Sequence, residues 1–407
     1  MARFLCTGDL HLDAGPDLGR VPGDRLREQE EVWRRCLEIG AEHEVDAVLF
    51  AGDAFEHRRP TPEALLAFER PLVALDEGPH PVPMYAIVGN HDRSGAAAGT
   101  GLEIFAEASL LSLASEPEIW HFPAAGQPDA VAICALPWAP VSRIVAAHGG
   151  GDRDDANAYA AELLVATARG LREQVDGPAI LLTHFSISGS SLPNGLPVEQ
   201  LREPVLEVSV LEALGFDAIV AGHIHRGQTF GEGATFYVGS PLPLSFGEAS
   251  DEHGVWILET DPRTASGAQR PLLVPRFIPI ASRRLVTLTL DGYELDVPEA
   301  AGGNMIDWED HAVEGAIVRV RIHAIAEQAR RLDIAAFKRA LYDAGAHKVY
   351  AVQLEVERPE RARVEGLHEE LTELEALAAW CRANDVNGTR EQALRERTER
   401  YLGAVRA

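Results

Sequence analysis

Five short blocks of this 407-residue chain bring carboxylates, a carboxamide and imidazoles close together: GDLHLD (8–13), GDAFEH (52–57), GNHD (89–92), THFS (183–186) and GHIH (222–225). The donors are Asp9, His11, Asp53, Asn90, His91, Asp92, His184, His223 and His225, with no thiolate in any block. Oxygen and imidazole donors suit borderline-to-hard divalent ions such as Mn²⁺, Fe²⁺ or Zn²⁺ better than a soft metal. Two cations held about 3.5–4 Å apart need a shared anionic bridge, which a single carboxylate can supply. Asp53 is the natural candidate. Neighbouring glycines let the backbone turn sharply and bring ligands close. Each block alone has a blander explanation: Asp-x-His as a helix cap, His184 as a core histidine, Gly-Asn-His-Asp as a turn. Gly-His-x-His is more specific, because alternation along extended backbone aims both rings to one side. All five in order point to a two-metal site.

Strands must deliver these residues. Arg3–Thr7, Val45–Ala51, Val82–Val88, Ala179–Thr183 and Ala218–Ala221 are apolar runs, each ending just before one of the blocks. In α/β sheets ligands gather beyond the carboxyl ends of strands, so residues distant in sequence converge there. Asp24–Ala41 has the periodicity of an amphipathic helix, with Leu26, Trp33, Cys36 and Leu37 near one face. Ala130–Leu136, Tyr237-Val238 and Val255–Leu258 are further strand candidates, some of them antiparallel. The first 260 or so residues therefore predict a layered α/β core flanked by helices.

Beyond about residue 280 the texture changes. Leu285–Leu290, Ala316–Ile322 and Lys348–Val356 read as strands around a helix at Leu332–Ala344, a small α+β unit. From about residue 362, Leu367, Leu371, Leu374, Ala378 and Cys381 make an a/d seam. Asn387-Gly388 breaks it, and Thr389 with Gln392 forms a capping-box pattern for a last helix. The chain thus ends in a helix–loop–helix, with domain boundaries expected near 280 and 360.

Composition is that of a globular protein, 46 % hydrophobic and 25 % charged. Cys6, Cys36, Cys134 and Cys381 show no CxxC pairing, which argues against a zinc knuckle or disulfide framework. The N-terminus turns polar too soon for a signal-peptide core, and no apolar run reaches the ~18 residues of a membrane span. A cytoplasmic protein with no membrane partner is expected. The net charge of −26 argues on its face against nucleic acid. A metal cluster and a few arginines can nonetheless attract phosphate locally.

The ordered blocks resemble those of the calcineurin-like metallophosphoesterases over roughly residues 1–260. Within that superfamily they look most like the SbcD-type DNA repair nucleases, bacterial relatives of the meiotic recombination eleven proteins. GDLHLD at the start, FEHRRPTP after Asp53, LLTHFSISGSS around His184 and YVGSPLPLSFGE at 237–248 carry this narrower likeness. The resemblance implies a β-sandwich-like nuclease core (1–280), a DNA-capping α+β domain (281–360) and C-terminal helices (361–407) that bind a partner ATPase. It implies Asp9, His11, Asp53 and His225 on one metal, with Asp53, Asn90, His184 and His223 on the other. His91 would act beside the scissile phosphate with Asp92 fixing its ring, and His57 would be an orienting or substrate contact. The implied cofactors are two divalent ions, foremost Mn, with Fe or Zn as alternatives. The implied activity is hydrolysis of DNA, as a double-strand exonuclease and single-strand endonuclease in break or hairpin processing. Its partners would be DNA, an SbcC-type coiled-coil ATPase and a second copy of the nuclease chain. A metallophosphatase or small-molecule phosphodiesterase on the same scaffold is the alternative.

A neutral amide bridges two cations poorly, so Asp53→Asn should lose at least one equivalent of bound metal. Elemental analysis retaining both ions in that variant would remove Asp53 from the bridging position.

Overall fold

A computed structural model of the chain describes residues 2–78, 81–93, 99–122, 131–147, 156–231, 234–260, 273–291, 312–356 and 371–405. The described residues divide into two compact units. Those of Met1–Leu288, Ile306–Val320 and Ile334–Val352 form the larger, and those of Thr289–Met305, Arg321–Asp333 and Gln353–Ala407 the smaller.

Two six-stranded sheets build the larger unit. The first runs in the order Leu273–Pro279, Gly254–Thr260, Arg3–Thr7, Ala47–Phe50, Met84–Ile87, Ser112–Ala114. Its last four strands are mutually parallel, while Gly254–Thr260 pairs antiparallel to both of its neighbours. The second runs Gln228–Phe230, Thr235–Tyr237, Ala218–Ala221, Ala179–Thr183, Val131–Leu136, Glu118–Phe122, with antiparallel strands only at its two edges.

Strand alternation sorts the core into layers. Phe4 and Cys6 join Leu49, Ile133, Leu182 and Val220 in one apolar cluster between the sheets. Leu5, Val48 and Phe50 point the other way, onto Trp33 and Leu37 of the helix Asp24–Glu42 and Phe68 of the helix Pro62–Asp76. On the far side, Cys134, Leu181 and Ile219 pack against Leu164 and Ala168 of the helix Ala156–Glu173. The central strands are apolar at successive positions because both their faces are covered.

The helix Pro62–Asp76 starts where local chemistry dictates: the Thr61 hydroxyl accepts the Ala64 amide at 3.2 Å and Pro62 occupies the first helical position. A third sheet orders Leu285–Asp291, Ile317–Ala324 and Lys348–Val356, and helices Ala326–Arg331 and Ile334–Asp343 lie between its last two strands in sequence. The final helices are Glu373–Ala383 and Gly388–Val405. The capping box sits elsewhere than expected: Thr372 and Glu375 cap the first of them, whereas Thr389 and Gln392 lie inside the second. Leu371 accordingly precedes its helix, and Leu367 lies outside the described residues. No helix among the described residues is long and apolar enough to cross a membrane.

Trp33 holds the outer layer of the first sheet. It is fully buried, stacks on Phe68 at 5.4 Å, and donates its indole N–H to the Phe68 carbonyl at 3.1 Å. Trp33→Ala should therefore destabilise the fold by about 3–5 kcal/mol, as large aromatic truncations in cores do. Denaturant unfolding monitored by circular dichroism tests this, and an unchanged midpoint would contradict the packing described.

Candidate metal centre

Every block seen in the sequence lies at the carboxyl ends of the two sheets, and the turns that follow the strands are conformationally unusual. Asp9, His11, Asp53 and His223 all have positive φ, at 47°, 45°, 53° and 94°. Non-glycine residues rarely occupy that region, and clusters of them mark functional sites. Backbone bonds impose the geometry: Asp9 and His11 amides donate to the Gly52 and Asp53 carbonyls at 2.9 and 3.1 Å. Glycine is required where these turns meet. A Cβ on Gly89 would collide with the Asp53 carboxylate, and one on Gly52 (φ 95°) would press on the His184 ring.

Asp9, His11, Asp53 and His184 form a floor that is at most 1 % exposed, with Asn90, His91, His223 and His225 on a more open rim. Ligand atoms of Asp9, His11 and His225 lie within 4.8 Å of one another, as do those of Asp53, His184 and His223, and those of His11, Asp53 and His91. The Asp53 carboxylate lies between. Its Oδ1 accepts the His91 amide at 2.8 Å, while Oδ2 stands 3.4 Å from His11 Nε2 and 3.2 Å from His184 Nε2. Asn90 Oδ1 adds a further oxygen, 3.0 Å from His184 Nε2 and 2.9 Å from His223 Nδ1. Asp9 accepts the His223 amide at 2.9 Å, tying the two sheets together across the site.

The hydrogen bonds at the back of each ring reveal what the front is built to face. The His184 Nδ1–H donates to the Ala51 carbonyl at 2.6 Å, so the neutral ring directs a lone pair from Nε2 at Asn90 and Asp53 oxygens. His11 Nδ1 likewise pairs with Glu56 at 2.9 Å, and its buried Nε2 has no hydrogen-bond partner among the described residues. Lone pairs converging on oxygens are mutually repulsive unless a cation or a proton lies among them. Burial would push the Asp53 carboxyl up, but the His184 and His11 imidazoles hold it well below the usual carboxylate range. His184, which burial would lower, is raised by Asp53 to about 9. Divalent ions bound here would compete with protons for these donors. The donor set fits two such ions.

Three acidic residues beyond the expected ligands complete the arrangement. Glu203 meets His223 Nε2 at 2.8 Å, Glu248 meets His225 Nδ1 at 3.3 Å, and Glu56 backs His11. Carboxylates behind ligating imidazoles fix the tautomer and raise ligand basicity. Glu248 ends the YVGSPLPLSFGE block. Its carboxylate accepts the Leu244 amide at 2.7 Å and its own carbonyl meets His253 at 3.1 Å, so the loop presents a fixed acid to His225. That block holds none of the expected ligands, and its position behind His225 explains what it contributes. Nothing in the sequence around Glu203 marks it, because its loop approaches His223 only after folding.

Asp92 stands differently from the sequence expectation. Its carboxylate accepts amides of Ala54, Phe55 and Gly89 at 3.0, 3.2 and 3.1 Å and bonds these two turns together. Burial and the nearby Asp53 charge push it up to about 7. The His91 ring is instead held by the Glu56 carbonyl, which lies 2.8 Å from Nδ1. His57 is exposed beyond Glu56.

Replacing Glu248 leaves His225 in place but frees its ring to rotate. Glu248→Gln should weaken metal retention about 10–100-fold, the usual effect of losing such an orienting partner. Metal-buffered titration gives the measurement. Wild-type affinity in that variant would make the contact incidental.

The calcineurin-like phosphoesterase family model matches residues 2–227, more than half of the chain. Among curated proteins, the SbcD component of the SbcCD nuclease from Bacillus subtilis is 29 % identical over 289 residues, covering 67 % of this chain and 69 % of the relative. Its Escherichia coli counterpart is 32 % identical over 267 residues, covering 60 % and 62 %. The chain thus spans about two thirds of the length of these relatives. The calcineurin-like phosphoesterase YfkN from Bacillus subtilis overlays loosely, with a TM-score of 0.37 at 13 % identity, covering 68 % of this chain and 90 % of that one. Family model and site chemistry agree on a metal-dependent hydrolase of phosphoesters, and the chain belongs to the calcineurin-like phosphoesterase family.

Proposed function

We propose that the chain is a two-metal DNA nuclease of the SbcD type, with Mn²⁺ as its working ion. The observation that carries this reading is the Asp53 carboxylate standing between His11 and His184, each belonging to a separate group of metal-competent donors. The likeness to SbcD nuclease subunits supports DNA as the phosphoester. Asp9, His11, Asp53 and His225 would hold one ion, and Asp53, Asn90, His184 and His223 the other. Bound cations of this kind offset phosphate charge and activate water.

The remaining chemistry belongs to the chain. His91 is half-exposed beside this floor, and its Nδ1–H is tethered to the Glu56 carbonyl, which leaves Nε2 to carry the proton for the departing oxygen. Asp92 positions rather than reacts, by holding the turns that bear Asp53 and Asn90. Residues 281–360 act as the cap over DNA, and contacts would be mainly to phosphates and therefore largely independent of sequence. Residues 361–407 dock an SbcC-type ATPase, a role supported by the exposure of Trp380 (41 %) and Tyr401 (69 %) on the terminal helices. A pair of nuclease chains completes the assembly; the neighbouring helices Pro62–Asp76 and Glu103–Glu107 each expose an aliphatic side chain, Leu66 and Ile104. The work of such an assembly is in the cytoplasm, on DNA breaks and hairpins, with both exonuclease and endonuclease activity.

One observation favours a second reading, a phosphatase or small-molecule phosphodiesterase: the net charge of −26 is unusual for a protein that grips DNA. Digestion assays in Mn²⁺ separate the two, using linear duplex, circular single strands, a chromogenic diester and a phosphomonoester. The nuclease reading expects cleavage of DNA, with His91→Ala keeping its metals but turning over roughly 10²–10⁴-fold more slowly. Efficient phosphomonoester hydrolysis without cleavage of any DNA would establish the phosphatase instead.

A further inference from the structure

A second cleft shares no residue with the metal centre. It measures about 390 Å³, lies along the helix Asp24–Glu42, and is lined by Arg25, Arg35, Arg283 and Arg284, with Glu28 and Glu31 as its acids. That volume accommodates a nucleotide-sized ligand. Four guanidiniums line this cavity against two acids, in a chain whose net charge is −26.

Their pairing is incomplete. Glu28 divides its carboxylate between Arg25, at 2.8 Å, and Arg283, so one negative charge serves two positive ones. Arg35 is the exception, fully paired with Glu42 at 2.5 Å and Glu38 at 3.4 Å. Arg284 donates to the Glu314 carbonyl at 3.1 Å and meets no carboxylate among the described residues. Arg25 is 2 % exposed and donates from its terminal nitrogens to Glu28 and the Pro243 carbonyl, while its buried Nε has no acceptor among the described residues. A buried guanidinium N–H without an acceptor is costly, so Arg25 contributes to this wall a cation that its partners do not fully satisfy. Arginine forks match tetrahedral phosphate oxygens in bidentate fashion. Ser282 adds a hydroxyl to the same wall.

We propose that this cleft binds a phosphate group at a site separate from the metal centre. Free phosphate, a mononucleotide and a backbone phosphate of DNA all present this group, and recognition by the arginines is common to the three. This inference does not depend on the nuclease reading.

Calorimetric titration of the full-length, metal-loaded chain with inorganic phosphate should resolve two classes of site, one removed by EDTA and one retained. In the retained class, Arg284→Glu and Arg283→Ala should each weaken binding by about tenfold or more, the scale of a lost charged hydrogen bond. Arg284 is exposed, so its replacement leaves folding intact, and a thermal melt verifies this. Competition in EDTA then identifies the source: deoxyadenosine monophosphate displaces phosphate from a nucleotide site, a short duplex from a backbone contact, and neither from a site for the free ion. The absence of an EDTA-resistant class, or unchanged affinity in both variants, would overturn the proposal.

Discussion

A carboxylate sealed among imidazoles governs this molecule. Asp53 is 1 % exposed, with one oxygen claimed by the His91 amide and the other facing His11 and His184. Such a group is stable inside a protein only if positive charge comes to it, because an isolated buried anion costs far more than a fold can bear. Much of the surrounding architecture follows from that requirement. Parallel strands from both sheets end at the same place, so that side chains separated by 131 positions, Asp53 and His184, meet at 3.2 Å. Glycines remove the side chains that would keep the turns apart, and the left-handed backbone at Asp9, His11 and Asp53 turns each donor inward.

Around this centre lies an outer set of acids whose work is orientation. Glu56, Glu203 and Glu248 each grip an imidazole from behind, and each is held below its usual range because the histidine it touches outweighs the effect of burial. The loop from Gly239 to Glu248 shows this most clearly. It carries a short run of prolines and serines, Ser240 closes a turn onto the Leu242 carbonyl at 2.7 Å, and the result is a carboxylate aimed at His225.

Legibility in the sequence follows the same division. The metal-competent residues can be found because each follows a run of apolar residues, and the strands that deliver them are buried on both faces. Strand ends differ by a residue or two, as at Ala47–Phe50 and Met84–Ile87, without moving any donor. What cannot be read is the geometry between segments. Glu203 has no local pattern, and Asp92 sits next to His91 in sequence yet turns its carboxylate to the Ala54, Phe55 and Gly89 amides. The C-terminal capping box falls elsewhere for a different reason. Thr372 and Glu375 cap the preceding helix, and the left-handed Gly388 (φ 61°) already begins the last helix ahead of Thr389.

Glu56 touches two histidines by two different parts of itself: its carboxylate meets His11, and its main-chain oxygen meets His91. Only the first contact is encoded by the identity of the residue. Every amino acid carries the same carbonyl, so the hold on His91 is a property of the path of the chain and not of the letter at position 56. Sequence drift at this position would remove a carboxylate that faces both rings, at 2.9 Å from His11 and 3.8 Å from His91, while the main-chain hold on His91 persists.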